Sequence, residues 1–271
     1  MTDVMVSLSN HSSPQQGRSE RMNSISAFFR QMKIHIYPDI ETVSRKAADM
    51  FLRISGNCIA GKGRFAVALS GGSTPKRFYE LLGSEPYIRS IHWQHVHIFW
   101  ADERCVSPDH DDSNYRLAFG SFLSKVSLPG ENIHRIKGEQ EPHREAREYE
   151  QDIRRFFREA EFPAFDLMVL GIGEDGHTAS LFPGSKTLME EDHLTAFVDD
   201  KTKNHPRITL TLPVLYHAEN ILVLVAGKGK AVILKKVIEE KDPTLPASLL
   251  TKGKGNLLFL SDKDAAQLLS R

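Results

Sequence analysis

A doubly wound, mainly parallel α/β sheet with helices on both faces is the fold class this sequence predicts, and three observations carry it. Short apolar runs such as Leu167 to Leu170 and Ile221 to Ala226 lack polar alternation, as strands covered on both faces require. Longer stretches between such runs return their apolar residues at helical spacing. Small or polar loops follow the runs, and the repeated alternation of strand with helix implies parallel crossover connections.

No Gly-, Pro- or Ser-rich linker divides the 271 residues internally, so one domain is expected over 32–271. Met1 to about Met22 is polar, Ser-rich and aperiodic, and cannot bury enough surface to offset its ordering entropy. A disordered leader is therefore expected over 1–31, with Met22 a candidate start. Lys plus Arg equals Asp plus Glu at 35 each, so no net charge draws the chain to nucleic acid or an anionic membrane. No apolar run approaches the roughly 20 residues of a membrane span, and the N-terminus lacks a secretory apolar core. A cytoplasmic protein is expected. Cys58 and Cys105 are too few for a disulfide framework and lack metal-ligand spacing, which leaves them as packed thiols.

In chain order, Lys33 to Tyr37 reads as a first strand, and Thr42 to Ile59 as a helix with Val43, Ala47, Met50, Phe51 and Ile54 on one face. Arg64 to Leu69 is a second strand that runs into Ser70-Gly71-Gly72-Ser73-Thr74-Pro75 and a helix carrying Phe78, Leu81 and Leu82. Thr74 suits an N-cap and Pro75 the first helical position. A small-residue loop feeding a helix N-terminus presents backbone N–H groups to a phosphate, although a merely tight connection explains this stretch equally well. His95 to Trp100 is a third strand, and His95 with His97 on one face lacks a third ligand for a metal. Asp102, Glu103 and Arg104 follow at its carboxyl end, where α/β sheets collect ligands; taken alone, a surface turn with an ion pair explains them better.

Beyond a polar loop, Tyr115 to Val126 and Glu141 to Phe162 read as amphipathic helices. Phe165 to Gly184 (FDLMVLGIGEDGHTASLFPG) begins as a buried strand, then breaks at Gly171, Gly173 and Gly176, with Asp175 and His177 at the mouth of the turn. Leu194 to Val198 is a short strand, and Pro206 to Thr211 a strand end that sets Arg207 beside a buried run. Ile221 to Ala226 precedes Gly227-Lys228-Gly229-Lys230 and a helix through Ile238, where Lys228 alone would more readily face water than an anion. Asn256 to Leu260 closes the sheet, and Asp262 to Leu269 is expected as a last helix.

Two fingerprints mislead. Gly171-Ile172-Gly173-Glu174-Asp175-Gly176 is a literal G-x-G-x-x-G, but Pro183-Gly184 interrupts the crossover helix that dinucleotide binding needs. Gly71-Gly72-Ser73-Thr74-Pro75 approaches a nucleophile elbow but ends in proline where glycine is required.

Taken together, Ser70 to Pro75, Ala101-Asp102-Glu103-Arg104, Gly171 to Gly184 and Pro206 to Thr211 resemble, in order, the blocks of the 6-phosphogluconolactonase family, over about Ile34 to the C-terminus. That family and the glucosamine-6-phosphate deaminases share a superfamily of Rossmann-like sheets that act on sugar phosphates without a cofactor. The resemblance implies hydrolysis of 6-phospho-D-glucono-1,5-lactone to 6-phosphogluconate, the second step of the oxidative pentose phosphate pathway. It also implies a small sugar-phosphate partner rather than nucleic acid or membrane, no metal, and a monomer or weak homo-oligomer.

Ester hydrolysis by water needs a base, oxyanion stabilisation and an anchor for the ring. An isolated histidine is more often structural, but within this motif His177 is the expected base, kept neutral at a helix N-terminus, with Asp175 orienting it or the substrate. Gly71, Gly72, Ser73, Arg207 and Lys228 are expected to hold the phosphate. Asp102 and Arg104 would meet the sugar ring or reacting carbonyl, with Arg104 the candidate oxyanion partner. The deaminases place a carboxylate shortly after the histidine, in a Phe-Asn-Glu-Pro context. Here Ser180-Leu181-Phe182-Pro183-Gly184 carries none, which favours the lactonase. A non-catalytic sugar-phosphate sensor would have little need to keep Asp175 beside His177, or would carry a DNA-binding module, and no helix-turn-helix or basic patch is evident.

Overall fold

The computed structural model describes residues 32–158 and 160–270, so the leader expected over 1–31 lies outside the described residues. Seven parallel strands form the main sheet. In chain order these are β1 (Lys33–Tyr37), β2 (Phe65–Leu69), β3 (Val96–Trp100), β5 (Ile133–His134), β6 (Leu167–Gly171), β9 (Asn220–Val225) and β10 (Asn256–Asp262). Their spatial order is β1-β10-β9-β6-β2-β3-β5. Three further strands, β4 (Asp102–Arg104), β7 (Thr195–Val198) and β8 (Arg207–Leu210), make a small antiparallel sheet ordered β4-β8-β7. Helices α1 (Ile40–Lys62), α2 (Ser73–Leu82), α3 (Tyr87–Ser90), α4 (Asn114–Ser121), α5 (Pro142–Phe156), α6 (Leu212–His217), α7 (Ala231–Lys235) and α8 (Pro246–Leu249) complete the fold.

The strand order locates the site before any side chain is considered. From β2 the chain winds outward through β3 to β5, whereas from β6 it winds the other way through β9 and β10. The direction of winding therefore changes between β2 and β6, and their carboxyl-end loops diverge to leave a crevice there. Ser70 N–H donates to Val169 O at 3.0 Å, which sets the Ser70–Ser73 and Gly171–Gly173 turns side by side. Every residue of β2 is buried, as are Leu167 to Leu170 of β6 and Ile221 to Val225 of β9, which is why these strands read as unbroken apolar runs. Among the described residues no helix is long and apolar enough to cross a membrane.

Several local expectations need correction. The N-cap of α2 is Gly72, not Thr74: its φ of 104° and ψ of 171° suit only glycine, so the turn closes earlier and Pro75 falls inside the first turn. Asp262 to Leu269 is a series of turns rather than a helix. The Asp262 carboxylate accepts from Gly227 N–H at 3.0 Å as well as from Ala265 N–H at 2.8 Å, which ties the end of β10 to the turn after β9. Asn256 to Leu260 does not close the sheet but lies inside it, between β1 and β9. The helices expected to reach Val126 and Phe162 end at Ser121 and Phe156. His95 lies in a 3-10 turn ahead of β3, and His97 pairs instead with His134, Nδ1 to Nε2 at 3.2 Å.

The segment from Asp102 to Arg104 is a strand rather than a surface turn, and it pairs with the strand expected around Arg207. The chain bends at Ala101, whose N–H still donates to Leu69 O while its carbonyl accepts from Leu210 N–H, both at 2.8 Å. That bend hands the chain from the parallel sheet to the antiparallel one. Strand alternation then turns Glu103 away from Asp102 and Arg104. Glu103 is buried, accepts from Asn114 and Tyr115 N–H at 2.8 Å each, and so caps α4 with a carboxylate.

Candidate active site

A cleft opens at the crevice between β2 and β6, lined by the Ser70–Pro75 turn, Asp102, Arg104, Gly173, His177, Ala179, Arg207 and Lys230 among others. On the β2 side the N-terminus of α2 has no side-chain cap, so its first N–H groups are left for a ligand. The Ser70 hydroxyl lies buried beside them without a hydrogen-bond partner. Gly71 has a packing reason: a Cβ there would come within 1.7 Å of Asn114 Oδ1. Asn114 in turn donates through Nδ2 to the Asp102 carbonyl at 2.8 Å, which ties α4 to β4.

On the antiparallel side, register places Arg104 directly opposite Arg207, and Asp102 opposite Thr209. Like charges facing each other across a ladder cost stability unless an anion or counter-charge lies between them. Both arginines have a buried Nε without a partner. Arg104 donates through Nη1 to Asp112 O at 2.6 Å, and the Arg207 guanidinium sits 5.7 Å from the Phe182 ring centroid. Burial, followed by the nearby Arg104, lowers the pKa of Arg207 from its ordinary value. Asp102 is only 4% exposed and is held by the Ser180 hydroxyl, which donates to its Oδ2 at 2.7 Å.

On the β6 side His177 Nδ1 meets Asp175 Oδ1 at 2.5 Å. With Nδ1 engaged, Nε2 is the nitrogen left to exchange a proton at the cleft. A Cβ on Gly173 would fall 2.0 Å from His177 Nδ1 and 2.6 Å from Asp175 Oδ1, so this pair can form only against a glycine. Phe182 packs on the imidazole with centroids 4.8 Å apart. Burial lowers the His177 pKa, against the opposing pull of Asp175. Burial also works against the charge on Asp175, but His177 and Lys203 outweigh it and bring its pKa down to about 2.

No helix begins at His177, contrary to expectation. Thr178 bridges to Leu181 and the chain continues in turns, so burial rather than a helix terminus favours the neutral ring. Lys228 is exposed and is not among the residues lining the cleft, whereas Lys230 lines it. The two residues lie on one 3-10 turn, where a spacing of two points side chains to different sides. The structure thus brings together Gly71, Gly72, Ser73, Asp102, Arg104, His177 and Arg207, with Asp175 behind the histidine, and leaves Lys228 apart. Sequence reasoning missed Lys203, whose Nζ donates to Asp175 Oδ2 at 3.1 Å and lies 4.4 Å from the Phe182 ring centroid. It stands in a polar, aperiodic loop, and no local signal marks it. Lys230 was legible only as a neighbour of Lys228.

The model of the family described as glucosamine-6-phosphate isomerases/6-phosphogluconolactonase matches residues 38–259. A 6-phosphogluconolactonase from a Nostoc species is 39% identical over 241 residues, spanning 88% of this chain and 98% of that protein. One from a Synechocystis species is 40% identical over 215 residues, 78% of this chain and 87% of that one. The solved 6-phosphogluconolactonase of Trypanosoma brucei superposes with a TM-score of 0.78 at 27% identity, covering 88% of this chain and 98% of that chain. The cleft at the β2–β6 crevice, the unbroken parallel sheet and these matches agree: the chain belongs to the glucosamine-6-phosphate isomerase/6-phosphogluconolactonase family.

Proposed function

We propose that the protein hydrolyses 6-phospho-D-glucono-1,5-lactone to 6-phosphogluconate, the second step of the oxidative pentose phosphate pathway, with His177 as general base. The observation that carries the reading is the Asp175–His177 pair facing a cleft whose other walls are an uncapped helix N-terminus and two opposed arginines. One end suits proton transfer and the other a phosphate. The Gly71-to-Ser73 backbone, the Ser70 and Ser73 hydroxyls, Arg207 and Lys230 hold the phosphate; Lys228 faces solvent and has no part in this. Asp102 accepts from sugar hydroxyls.

Water attacks the lactone carbonyl while Nε2 of His177 takes its proton, and Asp175 supports the imidazolium that results. Negative charge develops on the carbonyl oxygen, where the Arg104 guanidinium stabilises it. Collapse of the tetrahedral species breaks the bond to the ring oxygen, which receives the proton back from His177. No covalent enzyme intermediate forms. The Ser180 hydroxyl, close in sequence, is buried and committed to Asp102. The segment after His177 buries Leu181 and Phe182 and supplies no carboxylate, which supports the lactonase over a deaminase. The same reading gives a cytoplasmic enzyme, monomeric or weakly self-associating, that uses no cofactor.

Lactone freshly generated by glucose-6-phosphate dehydrogenase tests the reading. Wild type should hydrolyse it well above the spontaneous rate, and His177→Ala should lose about two to four orders of magnitude in catalysed rate. Equal rates would remove His177 from the mechanism. In labelled water the product should carry one label and the protein none. An acyl-serine adduct would defeat direct attack, and ammonia release from glucosamine 6-phosphate would favour the deaminase.

A further inference from the structure

Outside the cleft lining, two loops meet in a second group of chemically capable side chains. Loop 105–113 follows β4 and loop 199–206 precedes β8, and they leave the small sheet at its Arg104–Arg207 end. His110 and Asp112 come from the first loop and His205 from the second, with one ligand atom from each lying within 4.8 Å of the others. His205 Nε2 is 2.9 Å from Asp112 Oδ2, and the His110 and His205 rings meet edge to face with centroids 5.2 Å apart. The Asp112 N–H donates to His110 Nδ1 at 3.1 Å, which makes Nδ1 the unprotonated nitrogen of that ring and holds it beside Asp112.

We propose that His110, Asp112 and His205 form a binding site for a divalent transition metal of the zinc class, which clamps the two loops together beside the cleft. Two imidazoles and one carboxylate are a donor set that zinc accepts, with a fourth position left to water. Metal–nitrogen bonds of about 2.0–2.1 Å put tetrahedral ligands about 3.3 Å apart, so the existing group needs shifts of only about 1–2 Å. His110 is exposed and can supply them. The metal comes between His205 Nε2 and Asp112 Oδ2, with the His205 ring keeping its proton on Nδ1 and any second proton passing to solvent; Asp112 N–H keeps its hydrogen and gives up His110 Nδ1 as its acceptor. Arg104 and Arg207 both interact with the Asp112 charge and so reduce the attraction for a cation.

The clamp reaches the functional residues at two points. The Asp112 carbonyl holds the Arg104 guanidinium, and His205 lies between Lys203, which holds Asp175, and Arg207. Fixing His205 against Asp112 therefore fixes the loop that carries Lys203.

Metal binding is measured directly on the chelator-stripped full chain, so the result does not depend on the lactonase reading. Titration with Zn2+ by calorimetry should show one saturable site. His110→Ala and His205→Ala should each weaken it at least about tenfold, and His95→Ala should leave it unchanged. Co2+ in the same site should give the visible absorption of a low-coordinate complex, lost in His205→Ala. Zn2+ should also slow tryptic cleavage after Lys201 and Lys203 in wild type but not in His110→Ala, which keeps both cleavage sites. Absence of saturable binding, or wild-type affinity in either histidine variant, would overturn the site; binding without protection of the loop would overturn the clamp.

Discussion

His177 is defined by what surrounds its ring. Burial lowers its pKa below the ordinary histidine value of about 6.5, while Asp175 pulls the other way. The neutral, proton-accepting form therefore persists to lower pH than in a free imidazole, and the acid limb of kcat/KM should lie below that value. Replacing Asp175 by Asn removes a charge that favours the imidazolium, so the limb should move further down. At the same time kcat should fall by about 10- to 1,000-fold, because the ring loses its orientation and the imidazolium its support. Since Asp175 itself titrates near pH 2, it adds no limb of its own in the working range. Paired pH–rate profiles check this, and an upward shift of the limb in the variant would contradict the assigned role.

Individual elements position the cleft through contacts that are not chemical in purpose. Tyr149 of α5 is buried; its hydroxyl accepts from Trp100 N–H at 2.9 Å and donates to Trp100 O at 2.8 Å. It thus satisfies both backbone groups at the end of β3, two residues before Asp102. Tyr149→Phe keeps the ring but strands that N–H and carbonyl, and should cost about 1–3 kcal/mol. Urea unfolding should show a lower midpoint at unchanged slope; a midpoint equal to wild type would mean that the tie contributes nothing. The α2 start illustrates why element ends are harder to read than elements. Apolar spacing marks Phe78, Leu81 and Leu82, but the cap depends on the backbone of Gly72, which residue type alone did not separate from the plausible Thr74-Pro75.

Across the molecule, the cleft draws on the ends of β2, β3 and β6, the small sheet and the turn after β9. A ligand that grips these segments together binds only the folded chain and so stabilises all of it. With 6-phosphogluconate at about 100 times its Kd, roughly 2.7 kcal/mol of added stability should raise Tm by about 5–10 °C. Gluconate at the same concentration lacks the group for the uncapped α2 terminus and the opposed arginines, and should shift Tm little. Equal shifts would remove the phosphate from the anchor.

The parallel α/β class, the order of the major strands and helices, and the Asp175–His177 pair could all be read from the chain. Each depends on apolar periodicity or on neighbours only a few residues apart. The family blocks around Ser70, Asp102 and Arg207 were likewise legible as motifs. The Arg104–Arg207 opposition was not, nor was the reach of Lys203 to Asp175, the use of Glu103 to cap α4, or the choice of Lys230 over Lys228. Those depend on strand register, on the bend at Ala101 and on loop paths that bring together residues as far apart as Asp112 and His205. Local propensity is a property of short stretches, whereas these pairings are set by burial and hydrogen bonding summed over the assembled sheet, so they exist only once it has formed.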